Sequence, residues 1–151
     1  MKSNLFFCYI RIINFKKKIM SEIKFTQAHA LIGMFIEMTA ADGKMDKVEL
    51  QTVGSLVKFF LEPNGFDADA RSKIINESFD WWSSFKTNKE RAQAVFTGAA
   101  GVGDSFSKEI RIKIAKGLML IGNADGVVHE KEKSFVSGCV ECLNLTFEDL
   151  K

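Results

Sequence analysis

Apolar residues recur along this chain in short stripes at helical spacing, and each stripe is bounded by residues that start or stop helices. Ala28, Leu31, Ile32, Phe35, Ile36 and Thr39 form the first stripe, predicting a helix from about Thr26 to Ala41 that stops at Asp42-Gly43. Val53, Leu56, Val57, Phe60 and Leu61 form the second, opened by Asp46 and closed at Pro63-Asn64-Gly65. Asp67 caps a third segment carrying Ala70, Ile74, Ile75, Phe79 and Trp82. A fourth carries Ala92, Val95, Phe96 and Ala99, with Gly98, Gly101 and Gly103 weakening its end. Ser107 and Glu109 open a fifth that runs to about Asn123 on Ile110, Ile114, Leu118 and Ile121. Ile110-Arg111-Ile112-Lys113-Ile114 also alternates as a strand does, but the Glu109/Lys113 spacing favours a helix and no second strand is available to pair with it. The sixth runs from about His129 to Leu143 on Phe135, Val136, Cys139 and Val140, and Thr146–Leu150 starts one more turn. The expected fold is all-α: a single-domain bundle of six to seven helices, in two pseudo-repeated helix–loop–helix halves.

The repeat lies in the loops. Ala41-Asp42-Gly43-Lys44-Met45-Asp46-Lys47-Val48-Glu49 and Ala124-Asp125-Gly126-Val127-Val128-His129-Glu130-Lys131-Glu132 share the form A-D-G-x-x-[D/H]-x-x-E, each between two helical stripes. Two readings of their acids stand side by side. In the first, Asp42, Asp46 and Glu49 with Asp125 and Glu132, joined by His129 and Glu130, hold a divalent cation. Carboxylates and loop carbonyls are hard oxygen donors suited to Ca²⁺, Mg²⁺ or Mn²⁺, and Asp42, Asp46 and Glu49 can face one small volume. The span is shorter than an EF-hand loop, and its glycine directly follows the first acid. In the second reading the acids serve only the backbone: Asp42 and Asp125 bond nearby loop amides, and Asp46 with Glu49 forms a capping box. Asp42 and Asp125 are the acids least explained by capping.

Composition narrows the function class. The chain has 151 residues, 46% hydrophobic and 26% charged, with one proline and fourteen phenylalanines, which suits one domain with a sizeable core. Its net charge of +2 conceals an asymmetry. Residues 1–19 carry five basic side chains and no acid, whereas from Met20 onward 19 acids face 16 bases. The later part has no basic patch, which argues against nucleic acid. Residues 1–19 read as an unstructured or mis-annotated extension ahead of a natural start at Met20, with a real N-terminal segment as the alternative; residues 20–151 form the helical domain. The apolar run Leu5–Ile10 lies before the lysine cluster, the reverse of a secretory signal, and is far short of the about 20 apolar residues a spanning helix needs. A peripheral membrane contact by Leu5, Phe6, Phe7 and the lysines is the remaining role for that run. Three cysteines, an odd number, fit a reducing compartment, and a cytoplasmic protein is expected.

Other motifs are weaker. Cys139-Val140-Glu141-Cys142 lacks the second ligand pair zinc needs and reads as core thiols. One of Trp81 and Trp82 faces outward if the other faces in, so Trp81 is either a partner anchor or core cover. His29 reads as structural, Gly101-Val102-Gly103-Asp104 lacks the lysine of a phosphate loop, and no nucleophile–base–acid set or small-molecule substrate site is evident.

Ala40-Ala41-Asp42-Gly43…Glu49, Asn123-Ala124-Asp125-Gly126…Glu132 and the ending Leu143-Asn144-Leu145-Thr146…Asp149-Leu150 resemble the TerB-like tellurite-resistance family over about residues 23–151. The resemblance implies an all-α fold of two related halves and an acidic surface proposed to bind divalent cations. It also implies a cytoplasmic, non-enzymatic role in tellurite and chemical stress response through a protein partner, membrane-associated in some cases. Asn123 and His129 depart from the family pattern and leave the acids intact. The expected function is therefore a binding module, with a purely structural protein-interaction domain, its loops acting only as caps, as the alternative.

Overall fold

One helix, α1 (Gln27–Ala40), packs against all five of the others: α2 (Lys47–Leu61), α3 (Ala68–Ser83), α4 (Asn88–Ser105), α5 (Lys108–Gly122) and α6 (Glu130–Cys142). Two single-turn 3₁₀ segments, Glu62–Asn64 and Phe147–Leu150, follow α2 and α6. The structure is a computed structural model and describes residues 25–151. The expectations for residues 1–19, the start at Met20 and Cys8 fall outside the described residues. Among the described residues there is no strand, and no helix is long and apolar enough to cross a membrane.

Every residue of α1 from His29 to Thr39 is buried, as befits a helix apolar on nearly all sides. This is wider than the single stripe expected, because α1 forms the axis of the bundle instead of one of its walls. Its three buried polar side chains, His29, Glu37 and Thr39, all have partners, as burial of such groups requires, Thr39 donating to the Ile36 carbonyl at 2.7 Å. Glu37 accepts hydrogen bonds from Trp82 Nε1 at 2.6 Å and Arg91 Nε at 2.9 Å, and the Arg91 guanidinium lies 4.1 Å from the centre of the Trp82 ring. His29 accepts from the Thr26 backbone N–H at Nδ1 (3.0 Å), so its proton sits on Nε2, which donates to Glu77 at 2.7 Å. The structural role expected for His29 is what the geometry gives.

The outer helices are amphipathic, and α3, α4 and α5 start on side-chain caps. Asp67, Thr87 and Ser107 accept from Ala70, Glu90 and Ile110 amides at the heads of α3, α4 and α5. Ile110–Ile114 lies inside α5, and Lys113 donates to Glu109 at 2.9 Å, which decides the helix-or-strand ambiguity. Trp81 is buried and Trp82 partly so; neither is an outward anchor. The glycines of α4 do not end it. The helix continues to Ser105 because Gly98 and Gly103 are buried contact positions, where close packing outweighs poor helix propensity.

Candidate functional site: the junction of two acidic loops

Both acidic loops fold by the same local steps. After α1 the chain turns at Gly43, whose φ of 89° suits glycine, and after α5 it turns at Gly126, φ 82°. The preceding aspartate closes each turn: Asp42 Oδ1 accepts from the Lys44 N–H at 2.8 Å, and Asp125 Oδ1 from the Val127 N–H at 2.9 Å. The next helix then begins on a capping box. Asp46 Oδ1 accepts from the Val48 N–H at 2.7 Å, and Glu49 Oε2 accepts from the Asp46 N–H at 3.2 Å. In the second loop Glu132 Oε2 accepts from the His129 N–H at 2.7 Å. Thus Asp42 and Asp125, the acids least explained by capping, have local backbone partners of their own.

Packing then joins the loops in a way their separate patterns do not announce. Glu49 and Glu132 are 2% and 1% exposed, and their carboxyls lie close enough to act on each other. Asp42 Oδ2 lies 3.3 Å from His129 Nε2, a second link across the junction. Two carboxyls that meet away from water do not both ionise readily; a proton shared between them replaces repulsion by a hydrogen bond. Burial, and after it the neighbouring Glu132 and Asp125 carboxylates, push the Glu49 pKa from 4.5 up to about 7 against the pull of the Asp46 N–H.

The seven candidate residues therefore separate into groups. Glu49 and Glu132 meet at the buried centre. Asp42 faces His129 at a half-shielded edge, and Asp125 lies within electrostatic reach of Glu49. Asp46 caps α2, and Glu130 is exposed and accepts from Lys133 Nζ at 2.8 Å, which holds its carboxyl below its usual range. Among the described residues no three or more His, Cys, Asp or Glu side chains are placed to hold a metal ion. As folded, the donor set has the right chemistry for a hard cation but the wrong convergence: at least one oxygen of Asp42, Asp46, Glu49, Asp125 and Glu132 is taken by a backbone N–H.

Sequence reasoning missed the burial of the two glutamates. A signal for it existed. The cap position differs between the loops, Asp46 in one and His129 in the other, while the glutamate three residues on is the same in both. A cap alone tolerates either residue, so the shared glutamate marks the position under a common constraint. Elsewhere, Cys139 is fully buried and Cys142 half-buried. Burial raises the Cys139 thiol well above its ordinary value and the Cys142 thiol above its own, so neither is activated as a nucleophile.

No curated protein and no solved structure matches the chain. A family model described as tellurite resistance protein TerB matches residues 28–151, which takes in every helix except the first residue of α1, together with both acidic loops. The chain thus belongs to the TerB family of tellurite resistance proteins.

Proposed function

We propose that this protein is a non-enzymatic, cytoplasmic binding module of the tellurite and chemical stress response, acting through a protein partner, with the two acidic loops as the fastener that holds its binding surface in shape. The observation that supports this reading is the use already made of the loop acids. Each of the five aspartates and glutamates at the core of the motif bonds a backbone amide, and the central pair closes on itself across the junction. A site built for hydrolysis through a metal-activated water would need an open position beside its carboxylates, and Glu49 and Glu132 have almost no exposure.

A second reading, a divalent cation bound at the junction, is favoured by one feature: two buried carboxyls in contact are the kind of acid pair whose proton a cation displaces. Melting temperature separates the two. A ligand at a hundred times its Kd stabilises the folded state by about 2.7 kcal/mol, a rise of several degrees. The module reading expects the melting temperature in millimolar Ca²⁺, Mg²⁺ or Mn²⁺ to equal that in chelator to within about a degree. A rise of several degrees that disappears in the Asp42→Asn/Asp125→Asn variant would replace it with the cation reading.

A further inference from the structure

A cavity of about 610 Å³ opens between the start of α1, the end of α2, α3 and the start of α5. Phe60, Phe66, Ile74, Phe106 and Ile110 form its walls, all half-buried, and Phe59, 58% exposed, stands at its mouth. Its polar side chains are largely engaged. Lys113 donates to Glu109 at 2.9 Å and Asn64 to the Phe60 carbonyl at 2.7 Å, while His29 holds Thr26 at 2.8 Å and Glu77 at 2.7 Å. Little is left for a charged occupant, whereas the half-buried walls and Phe59 would lose further contact with water under an apolar one.

Chain continuity says what covers it. Thr26, Gln27 and Ala28, the entry to α1, line the cavity, so the residues just ahead of them start at its rim. Residues 1–24 precede the described part, and among them Ile19, Met20 and Ile23 stand closest to that rim. From Phe25 a fully extended chain reaches Ile19 within about 22 Å. The i, i+1, i+4 spacing of the three lets one side of a helical turn be apolar, with Ser21 on the other side. Met20 and Ile23 belong to the chain whether it starts at Met1 or at Met20. A tether this short holds them at a millimolar effective concentration, so weak apolar contacts suffice to seat them. We infer that this cavity is the docking site of the chain's own residues 19–24, with Ile23 and Met20 packing against Phe59 and Phe106. The segment then serves as a built-in occupant, which an outside apolar ligand or partner must displace to enter.

The test measures nuclear Overhauser contacts between methyl groups and phenylalanine rings in the full chain. Contacts from the Ile23 and Met20 methyls to the Phe59 or Phe106 ring are the expected result. Their absence overturns the inference. So does their appearance only between differently labelled copies in a mixed sample, which would make a second copy the occupant. A second measurement uses the apolar dye anilinonaphthalene sulfonate. Ile23→Asp with Met20→Asp, in the full chain, raises its emission at least about threefold by uncovering the cavity, with far-ultraviolet circular dichroism unchanged. Ser21→Asp, which adds a charge to the same segment and leaves both apolar side chains in place, changes the emission by less than about twofold. Equal emission from the double variant and the parent also overturns the inference. Should the double variant fail to fold, the contacts in the parent chain decide alone.

Discussion

Glu49→Gln is expected to raise the melting temperature at pH 8 by on the order of 10 °C and to leave it nearly unchanged at pH 5. The reason is linkage. Glu49 has a pKa of about 7 in the folded chain against 4.5 in the unfolded one. Between those values the folded state holds a proton that the unfolded state has released, so stability falls as pH rises from about 4.5 to about 7. Below 4.5 both states are protonated and the junction is at its most stable; above 7 both are ionised and the full loss is felt. At ~1.4 kcal/mol per pH unit the loss is ~3 kcal/mol. Glutamine carries no charge at any pH. Its oxygen can still accept from the Asp46 N–H, and its amide can donate to the neighbouring Glu132 carboxylate. Thermal melts of both proteins from pH 5 to pH 8 should give a falling line for the parent and a flatter one for the variant. Parallel lines would mean that Glu49 is not the group that titrates.

Gly103→Ala is expected to cost ~2–3 kcal/mol, with Gly54→Ala stabilising by up to ~1 kcal/mol. A methyl group built on Gly103 of α4 would run into the Cys142 carbonyl oxygen at the end of α6 and come within 3.0 Å of the Leu143 Cα. Both are backbone atoms, so no rotamer change relieves the overlap and the two helices must separate. Gly54, on the exposed side of α2, has nothing within 4 Å of the same methyl and gains only the better helix propensity of alanine. Urea midpoints of the two variants should move in opposite directions. A shift of the same sign in both would sink the idea that Gly103 is where α4 and α6 touch backbone to backbone.

What could be read from the sequence was what the chain decides locally. Helix spans and their caps came out close to the structure, because an Asp67 or Ser107 cap and a 3.6-residue stripe act within a few residues. The turns at Asp42-Gly43 and Asp125-Gly126 were legible for the same reason. The all-round burial of α1 was partly visible in its density of apolar residues, but its place at the axis depends on five partners that no local pattern names. The junction was the least legible part. Glu49 and Glu132 are far apart in sequence, each has a sufficient local duty at the start of its own helix, and only the packing of α2 and α6 around α1 turns two surface-type caps into one buried pair. The expectation that Asp42, Asp46 and Glu49 face one small volume treated each loop alone. In the folded chain Asp42 instead faces His129 of the other loop, and Asp46 stays with the backbone of α2.

The central claim is that the loops are joined by a buried carboxyl pair, and the most direct test is the titration of the Glu49 side-chain carboxyl followed by its carbon-13 chemical shift. A midpoint near pH 7, moving to lower pH when Glu132 is replaced by Gln, is the result expected from the pairing. A midpoint near 4.5, unaffected by that replacement, would place Glu49 in water as an ordinary helix cap and contradict the account.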